Sequence, residues 1–376
     1  MKPKPFELER IQSIYENSVE VNLTESGIEP LSIKELMTDK EIDELINIPM
    51  SYGYTQGSPE LRSRISTFYK DYDYKNILVT SGSSEAIYLT ALLLLSRQDE
   101  LIMMTPNYLS ISGVAESLGA KVSFINLEED LNWSLDLEKL KAMVSKKTKL
   151  ISLCNPNNPT GSIITKSDME EIVSIADSVG AYIHSDEVYI GAEFSDDETI
   201  SFQNLYNKTI VTSGLSKSFS NPGIRIGWLA TQEELIEEAW GLKDYTTIAS
   251  SILSQHIALK VLEKETVQRI RSRTKELLST NLEIFKNWIS PYSNTLSFIP
   301  PKAGGFVYIK YKMPINSSDL VHDLRENEGV FLVPGGSFGM DGYIRIGLGS
   351  NAETFKKGLA LFSQGLNRIF PETFLK

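Results

Sequence analysis

Short apolar runs of strand length alternate with longer amphipathic stretches between about residue 75 and residue 230. This alternation is typical of strand–helix–strand units, which align neighbouring strands in parallel and pack helices on the sheet. The runs that we predict as strands are NILVT (76–80), ELIMMTP (100–106), KVSFINL (121–127), KLISLCNP (149–156), AYIHSDEVY (181–189), KTIVTSGLSK (208–217) and IGWLAT (226–231). The sequence therefore predicts an α/β fold with a mainly parallel sheet flanked by helices.

The rest of the chain predicts a second, smaller domain. Helices are expected at SSEAIYLTALLLLS (83–96) and at KSDMEEIVSIADSVG (166–180), the latter with Ser167 as its N-cap and Gly180 at its end. Beyond about residue 232 the pattern becomes helical and then mixed, with strand candidates GGFVYIKY, GVFLVPG and YIRIGLG. We expect a large domain over residues 46–271 and a smaller α+β domain formed by both chain ends, 1–45 and 272–376. A cleft between two such domains is a common ligand site.

Composition excludes several classes of function. The formal net charge of −12 disfavours binding to nucleic acids or to anionic membranes. Because Cys154 is the single cysteine, no intrachain disulfide can form, which fits a reducing cytoplasm. No apolar run reaches the ~18–20 residues that span a bilayer, and the first residues do not resemble a signal peptide. The three histidines lack metal-ligand spacing, so we expect no metal site. Together, these features predict a soluble cytoplasmic protein.

Polar side chains follow the first two predicted strands. In an open α/β sheet, ligands bind beyond the carboxyl ends of the strands. Gly82, Ser83 and Ser84 follow NILVT and open a helix, where backbone amides could hold a phosphate or the serines could simply cap the helix. Tyr108 follows the next strand and could cover a planar ring, or belong to the core.

Three later strands also end in reactive or polar groups. NPNNPTG holds Asn158 in proline-restricted turns, and SDEVY contributes Asp186 and Tyr189. A buried Asp186 needs a cation or hydrogen-bond donors, so it is either a catalytic group or a member of an ion pair or helix cap. Lys217 follows KTIVT, within GLSKSFSNPGIRIGW, and is surrounded by small residues. The combination predicts one site at this edge of the sheet.

Pyridoxal 5'-phosphate is the cofactor that explains this combination. It requires amides for a phosphate, an aromatic face for its ring, a carboxylate for a protonated ring nitrogen and a lysine for its aldehyde. Lysine forms a reversible Schiff base with the aldehyde when its amine is free to act as a nucleophile. Arg225, eight residues after Lys217, could contribute a charge-assisted pair of hydrogen bonds to the same phosphate.

NPNNPTG, SDEVY and GLSKSFSNPGIRIGW, in this order, resemble the class I/II aminotransferases of pyridoxal-phosphate fold type I, the aspartate aminotransferase superfamily. The resemblance implies an aminotransferase that acts on an L-amino acid and a 2-oxo acid, through a Schiff base on Lys217. It also implies a homodimer with shared active sites, in which Tyr52 reaches the phosphate in the neighbouring subunit. Other implied roles are the ring-nitrogen partner (Asp186), ring-oxygen partners (Asn158, Tyr189), a stacking residue (Tyr108), phosphate ligands (Gly82, Ser83, Ser84, Arg225) and substrate-binding residues (Arg345 for the α-carboxylate, with Asn158).

Three questions stay open at the level of sequence. The hydroxyl that accompanies the lysine in this family could come from Ser213 or from Ser216. NLTESGIEPLS, GSSEAIYL and TPNYLSISG resemble the branch that contains capreomycidine synthase, so elimination or cyclisation is the alternative reaction. A cofactor-binding regulator is a further alternative, which the acidic net charge disfavours.

Overall fold

The computed structural model describes residues 2–371. Its α-helices are α1 (Glu7–Tyr15), α2 (Ile33–Leu36), α3 (Asp39–Ile46), α4 (Pro59–Ser66), α5 (Ser83–Leu94), α6 (Ser110–Leu118), α7 (Leu137–Met143), α8 (Lys166–Val179), α9 (Glu233–Lys243), α10 (Ile252–Val261), α11 (Lys264–Ile289), α12 (Ser317–Glu328) and α13 (Ala352–Ile369). Its strands are β1 (Val21–Asn22), β2 (Ile77–Thr80), β3 (Glu100–Thr105), β4 (Lys121–Glu128), β5 (Ser134–Leu135), β6 (Thr148–Cys154), β7 (Tyr182–Asp186), β8 (Thr209–Gly214), β9 (Gly227–Ala230), β10 (Leu296–Phe298), β11 (Phe306–Tyr311), β12 (Val330–Phe331), β13 (Val333–Pro334) and β14 (Tyr343–Gly347).

The large sheet contains a strand within each of the predicted apolar runs. Among the described residues it has eight strands in the order β2-β9-β8-β7-β6-β3-β4-β5. Strands β4, β3, β6, β7 and β8 are parallel to one another, whereas β5 is antiparallel to β4, and β9 is antiparallel to both β8 and β2. The predicted mainly parallel α/β fold is confirmed. Since β2 runs in the same direction as the five parallel strands, six carboxyl ends meet at one edge of the sheet.

Helices cover both faces of this sheet, as alternate side chains of β3 demonstrate. Ile102 and Met104 belong to an apolar cluster shared with helix α8, whereas Leu101 and Met103 belong to a cluster shared with α5 and α9. Successive strand residues point to opposite faces. A strand buried on both faces therefore reads as a continuous apolar run, which is what the sequence contains.

Both chain ends contribute to a separate apolar cluster around a small sheet. That sheet is antiparallel with the order β10-β11-β14-β13, and β1 pairs in parallel with β12. Val21 and Leu23 pack there with apolar residues of α11, α12 and α13. Helix α11 continues through the predicted boundary at residues 271 and 272. The domain limits themselves stay predictions.

The N-cap of helix α8 lies two residues before the predicted one. The N-cap is Thr165, whose hydroxyl accepts a hydrogen bond from the Asp168 amide at 3.2 Å, so the prediction of Ser167 is wrong. Thr165 has the extended backbone that an N-cap requires, whereas Ser167 already lies in the first turn. The predicted end at Gly180 is confirmed, with a left-handed φ of 74°. Over residues 2–371, no helix has both the length and the apolar character needed to cross a membrane.

Candidate active site

A cavity of about 280 Å³ lies at the edge of the large sheet where the carboxyl ends of the parallel strands meet. It collects side chains that follow β2, β3, β6, β7 and β8, together with one from β14 of the small sheet. The predicted site residues that line it are Ser83, Ser84, Tyr108, Asn158, Asp186, Tyr189, Ser216, Lys217, Arg225 and Arg345. The shared edge of a parallel sheet therefore brings together residues that are distant in sequence.

One end of the cavity is built to receive an anion. Gly82 is the N-cap of α5, and no side chain caps this helix, so the amides of its first turn are not occupied by Ser83 or Ser84. A Cβ atom at Gly82 would lie 2.4 Å from Nη2 of Arg225, so only glycine leaves room for this guanidinium. Nη1 of Arg225 also donates a weak hydrogen bond to the Ser216 hydroxyl at 3.4 Å. A helix N-terminus facing an arginine is a suitable environment for a phosphate.

Asp186 and Tyr189 form the buried floor of the cavity. Burial raises the pKa of Asp186 to about 7 because it removes the carboxylate from water, and the hydrogen bond from Val188 N at 3.4 Å, which acts in the opposite direction, does not offset this. A cation beside Asp186 would reverse this shift by stabilising the charged form. The Tyr189 hydroxyl donates to the Ser26 hydroxyl at 2.9 Å, and burial raises its pKa. The floor can therefore hold a protonated ring nitrogen.

Lys217 extends into the cavity and pairs with a carboxylate that sequence reasoning missed. Its Nζ donates to Oε1 of Glu25 at 2.8 Å. The nearby Lys217 ammonium lowers the pKa of Glu25 to about 2, despite partial burial. Glu25 lies within NLTESGIEPLS, a stretch that the sequence analysis singled out only for its branch resemblance. The feature that could have drawn attention to Glu25 is its position directly before a Ser-Gly pair, but nothing in the sequence connected Glu25 to Lys217.

Arg345 on β14 is a buried cation that keeps one donor unpaired. Its Nη1 donates to Oδ1 of Asn158 at 2.8 Å, and its Nη2 donates to the carbonyl of Thr24. Its buried Nε has no hydrogen-bond partner among the described residues. The guanidinium lies within 5.6 Å of the ring centres of Phe306 and Phe338. An arginine held among aromatic rings with a free N–H group is suited to bind a carboxylate.

Helix α1 forms a wall that the sequence analysis did not connect to the site. Leu8, Glu9, Gln12, Ser13 and Glu16 line the cavity. The Tyr108 hydroxyl donates to Oε1 of Glu9 at 2.9 Å, which fixes the aromatic ring from the outside. Apart from Leu8 these residues are polar, and nothing in the sequence indicates which partner a short helix will pack against.

Three predicted residues do not line this cavity. Gly82 is not a lining residue, but it lies next to the guanidinium of Arg225, which is one. Ser213 lines a different cavity, where its hydroxyl donates to the carbonyl of Glu187 at 3.3 Å. Tyr52 is 75% exposed and lies outside the lining. Of the two serines considered for the phosphate, Ser216 is therefore the one beside Arg225.

The chain is similar to aminotransferases in both sequence and structure. Residues 32–361 match the family model described as "Aminotransferase class I and II". A probable aspartate aminotransferase from Methanocaldococcus jannaschii is 30% identical, covering 83% of this chain and 84% of the relative. Capreomycidine synthase from Streptomyces vinaceus is 25% identical, covering 88% of this chain and 84% of that protein. A crystal structure of a PLP-dependent aminotransferase from Streptococcus suis has a TM-score of 0.92 at 34% identity, covering 98% of this chain and 99% of that one.

Proposed function

Because the chain belongs to the class I and II aminotransferase family of pyridoxal-phosphate-dependent enzymes, we propose that it transfers an amino group between an L-amino acid and a 2-oxo acid. The observation that carries this proposal is the single cavity that contains Lys217, Asp186, Arg225 and Arg345. A lysine, a buried acid, a phosphate-binding arginine and a carboxylate-binding arginine are the groups that such a reaction needs. The match to the family supports this assignment of the cavity.

The residues of the cavity fit pyridoxal phosphate. Arg225, Ser216 and the N-terminus of α5 would hold the phosphate, in the cradle that a Cβ at Gly82 would fill. Asp186 would pair with the ring nitrogen, and Asn158 and Tyr189 would contact the ring oxygen. Tyr108 would lie against the ring. Lys217 would bind the aldehyde carbon through its amine.

Each residue then has a separate task in the reaction. When bound, the cofactor accepts the electron pair that is released at the substrate α-carbon. Asp186 keeps the ring nitrogen protonated, because a neighbouring carboxylate favours the cationic form. Arg345 holds the substrate α-carboxylate and so orients the bond to the α-hydrogen. Lys217, with its amine free, would remove the α-proton as a general base and, once protonated, would donate a proton as a general acid.

Two measurements test the proposal. Borohydride reduction of the pyridoxal-phosphate-loaded protein, followed by peptide mapping, should label Lys217, whereas a label on Lys243 or Lys302 would contradict the assignment. A single amino acid supplied without a 2-oxo acid should convert the cofactor stoichiometrically to its amine form, and a 2-oxo acid should restore it. Failure of the 2-oxo acid to restore the cofactor would refute transamination.

The similarity to capreomycidine synthase favours one second candidate, elimination or cyclisation. Both reactions remove the same α-proton, but elimination also requires a leaving group on the next carbon. Steady release of ammonia and a 2-oxo acid from a substituted amino acid, with the cofactor aldehyde regenerated, would favour this alternative. The residues described above permit either reaction, and the family match favours transamination.

We also propose that the chain acts as a homodimer. Met50, Tyr52, Tyr54 and Tyr245 are large apolar or aromatic side chains that are each more than 60% exposed. Exposed aromatic groups of this kind are typical of protein interfaces. A second copy of the chain would cover them and place Tyr52 near its partner's phosphate site. A cytoplasmic location stays a prediction that rests on the single cysteine.

A further inference from the structure

Besides Asp186, three carboxylates line the candidate active site. Glu9 and Glu16 come from the α1 region, and Glu25 follows β1. We infer that the substrate is an L-amino acid with a positively charged side chain, and that Glu16 and Glu25 bind this charge. The inference rests on the proposed function and names its substrate class.

The cations of the cavity are already committed to other tasks. Among the described residues, the lysines and arginines that line the cavity are Lys217, Arg225 and Arg345. Lys217 is assigned to the cofactor aldehyde, Arg225 to the phosphate and Arg345 to the α-carboxylate. Within a single subunit, no cationic lining residue is therefore left for a second carboxylate. An acidic side chain would have to be buried next to like charges, which is unfavourable.

Glu25 is close to both points at which the substrate is expected to be held. The preceding residue, Thr24, accepts a hydrogen bond from Arg345 through its carbonyl, and the Glu25 carboxylate contacts the Lys217 amine. When the cofactor engages that amine, the Glu25 carboxylate is available for another cation. A substrate held by Arg345 and the cofactor would thus have a carboxylate within reach of its side chain.

The charges around Glu16 favour a cationic ligand. Burial raises the pKa of Glu16, and the carboxylates of Glu25 and Glu9 raise it further. Lys217 acts in the opposite direction, and it is the cation that the cofactor engages. A cationic side chain entering this cluster would lower the pKa of Glu16 and relieve the repulsion between the three carboxylates. An anionic side chain would instead raise the pKa of Glu16 further and increase the repulsion between the carboxylates.

Pairs of amino acids that differ in charge but hardly in shape test the inference. The measured quantity is the rate at which each converts the pyridoxal-phosphate-loaded enzyme to the amine form, as a function of concentration. Arginine should exceed citrulline, and lysine should exceed norleucine, by roughly 10- to 100-fold in kcat/KM, the range expected for one charge-assisted contact. Glutamate should react more slowly than glutamine.

Variants of Glu16 assign the effect, since this residue does not pair with Lys217. Glu16→Gln should reduce the rate with arginine about 10-fold more than it reduces the rate with citrulline. Glu16→Lys should lower the rate with arginine further and raise the rate with glutamate. The matched control is Glu7→Gln, on the same helix but outside the cavity lining, which should change neither rate.

The possible outcomes separate the inference from the proposed function. Glutamate or aspartate reacting faster than arginine and lysine would overturn the inference and leave transamination intact. Equal rates for arginine and citrulline in the unmodified enzyme would also overturn it, without the need for any variant. If no amino acid converts the cofactor, the proposed function itself fails.

Discussion

Replacing Gly82 by alanine tests how the phosphate end of the cavity is built. Gly82 has φ +83° and ψ 162°, a backbone conformation that is essentially restricted to glycine. The new Cβ atom would lie 2.4 Å from Nη2 and 3.0 Å from Cζ of Arg225. Because the clashing atoms are at the end of a flexible side chain, the guanidinium should move while the fold persists.

The structure sets the expected magnitudes. Holding alanine in this backbone region should cost about 1–3 kcal/mol of folding free energy. Displacing the guanidinium removes a charged hydrogen bond to the phosphate, which contributes about 1.5–3 kcal/mol. The dissociation constant for pyridoxal phosphate should therefore rise roughly 10- to 100-fold.

The assay is an absorbance titration of the cofactor-free protein with pyridoxal phosphate, paired with thermal unfolding of the same samples. Gly241→Ala is the matched control, because a Cβ atom there meets nothing within 4 Å and the residue lies inside helix α9. This control should keep its affinity and gain about 0.5–1 kcal/mol in stability. An unchanged affinity in Gly82→Ala would mean that Arg225 does not hold the phosphate.

Three further predictions concern Asp186, Arg345 and Tyr52. In the cofactor-free protein, burial raises the pKa of Asp186 to about 7, so ionising this group opposes folding as the pH rises from about 4 to 7. Asp186→Asn should therefore be more stable than the original protein at pH 8 in chemical denaturation, yet lose most turnover. A difference in stability between the two proteins that is the same at pH 5 as at pH 8 would contradict this. Arg345→Ala should lower kcat/KM, by an amount that corresponds to a rise of about 2–5 kcal/mol in the activation free energy. Unchanged steady-state kinetics would mean that the α-carboxylate is bound elsewhere. If Tyr52→Phe is severely impaired, mixing it with inactive Lys217→Ala should restore activity in one of the two shared sites, whereas a fully active monomer in sedimentation would exclude such sharing.

Much of the candidate site could be predicted because the sheet is parallel. Each apolar run had to end at the same edge as its parallel neighbours, so the residues directly after the runs had to meet. Asn158, Asp186 and Lys217 could therefore be grouped without knowledge of any contact. The same reasoning could not decide between Ser213 and Ser216, because the face to which each hydroxyl points depends on where the strand ends and the chain turns.

Sequence by itself determined the alternation of strands and helices and the chemistry at the strand ends, because both depend on local periodicity and chain direction. Only the tertiary structure brought α1 and Glu25 to the cavity. Glu25 is 192 residues from Lys217, and their pairing depends on how the N-terminal segment crosses the sheet edge. Arg345 likewise reaches Asn158 across 187 residues. Such contacts are set by the packing of separate elements, and no local pattern encodes which surfaces will meet.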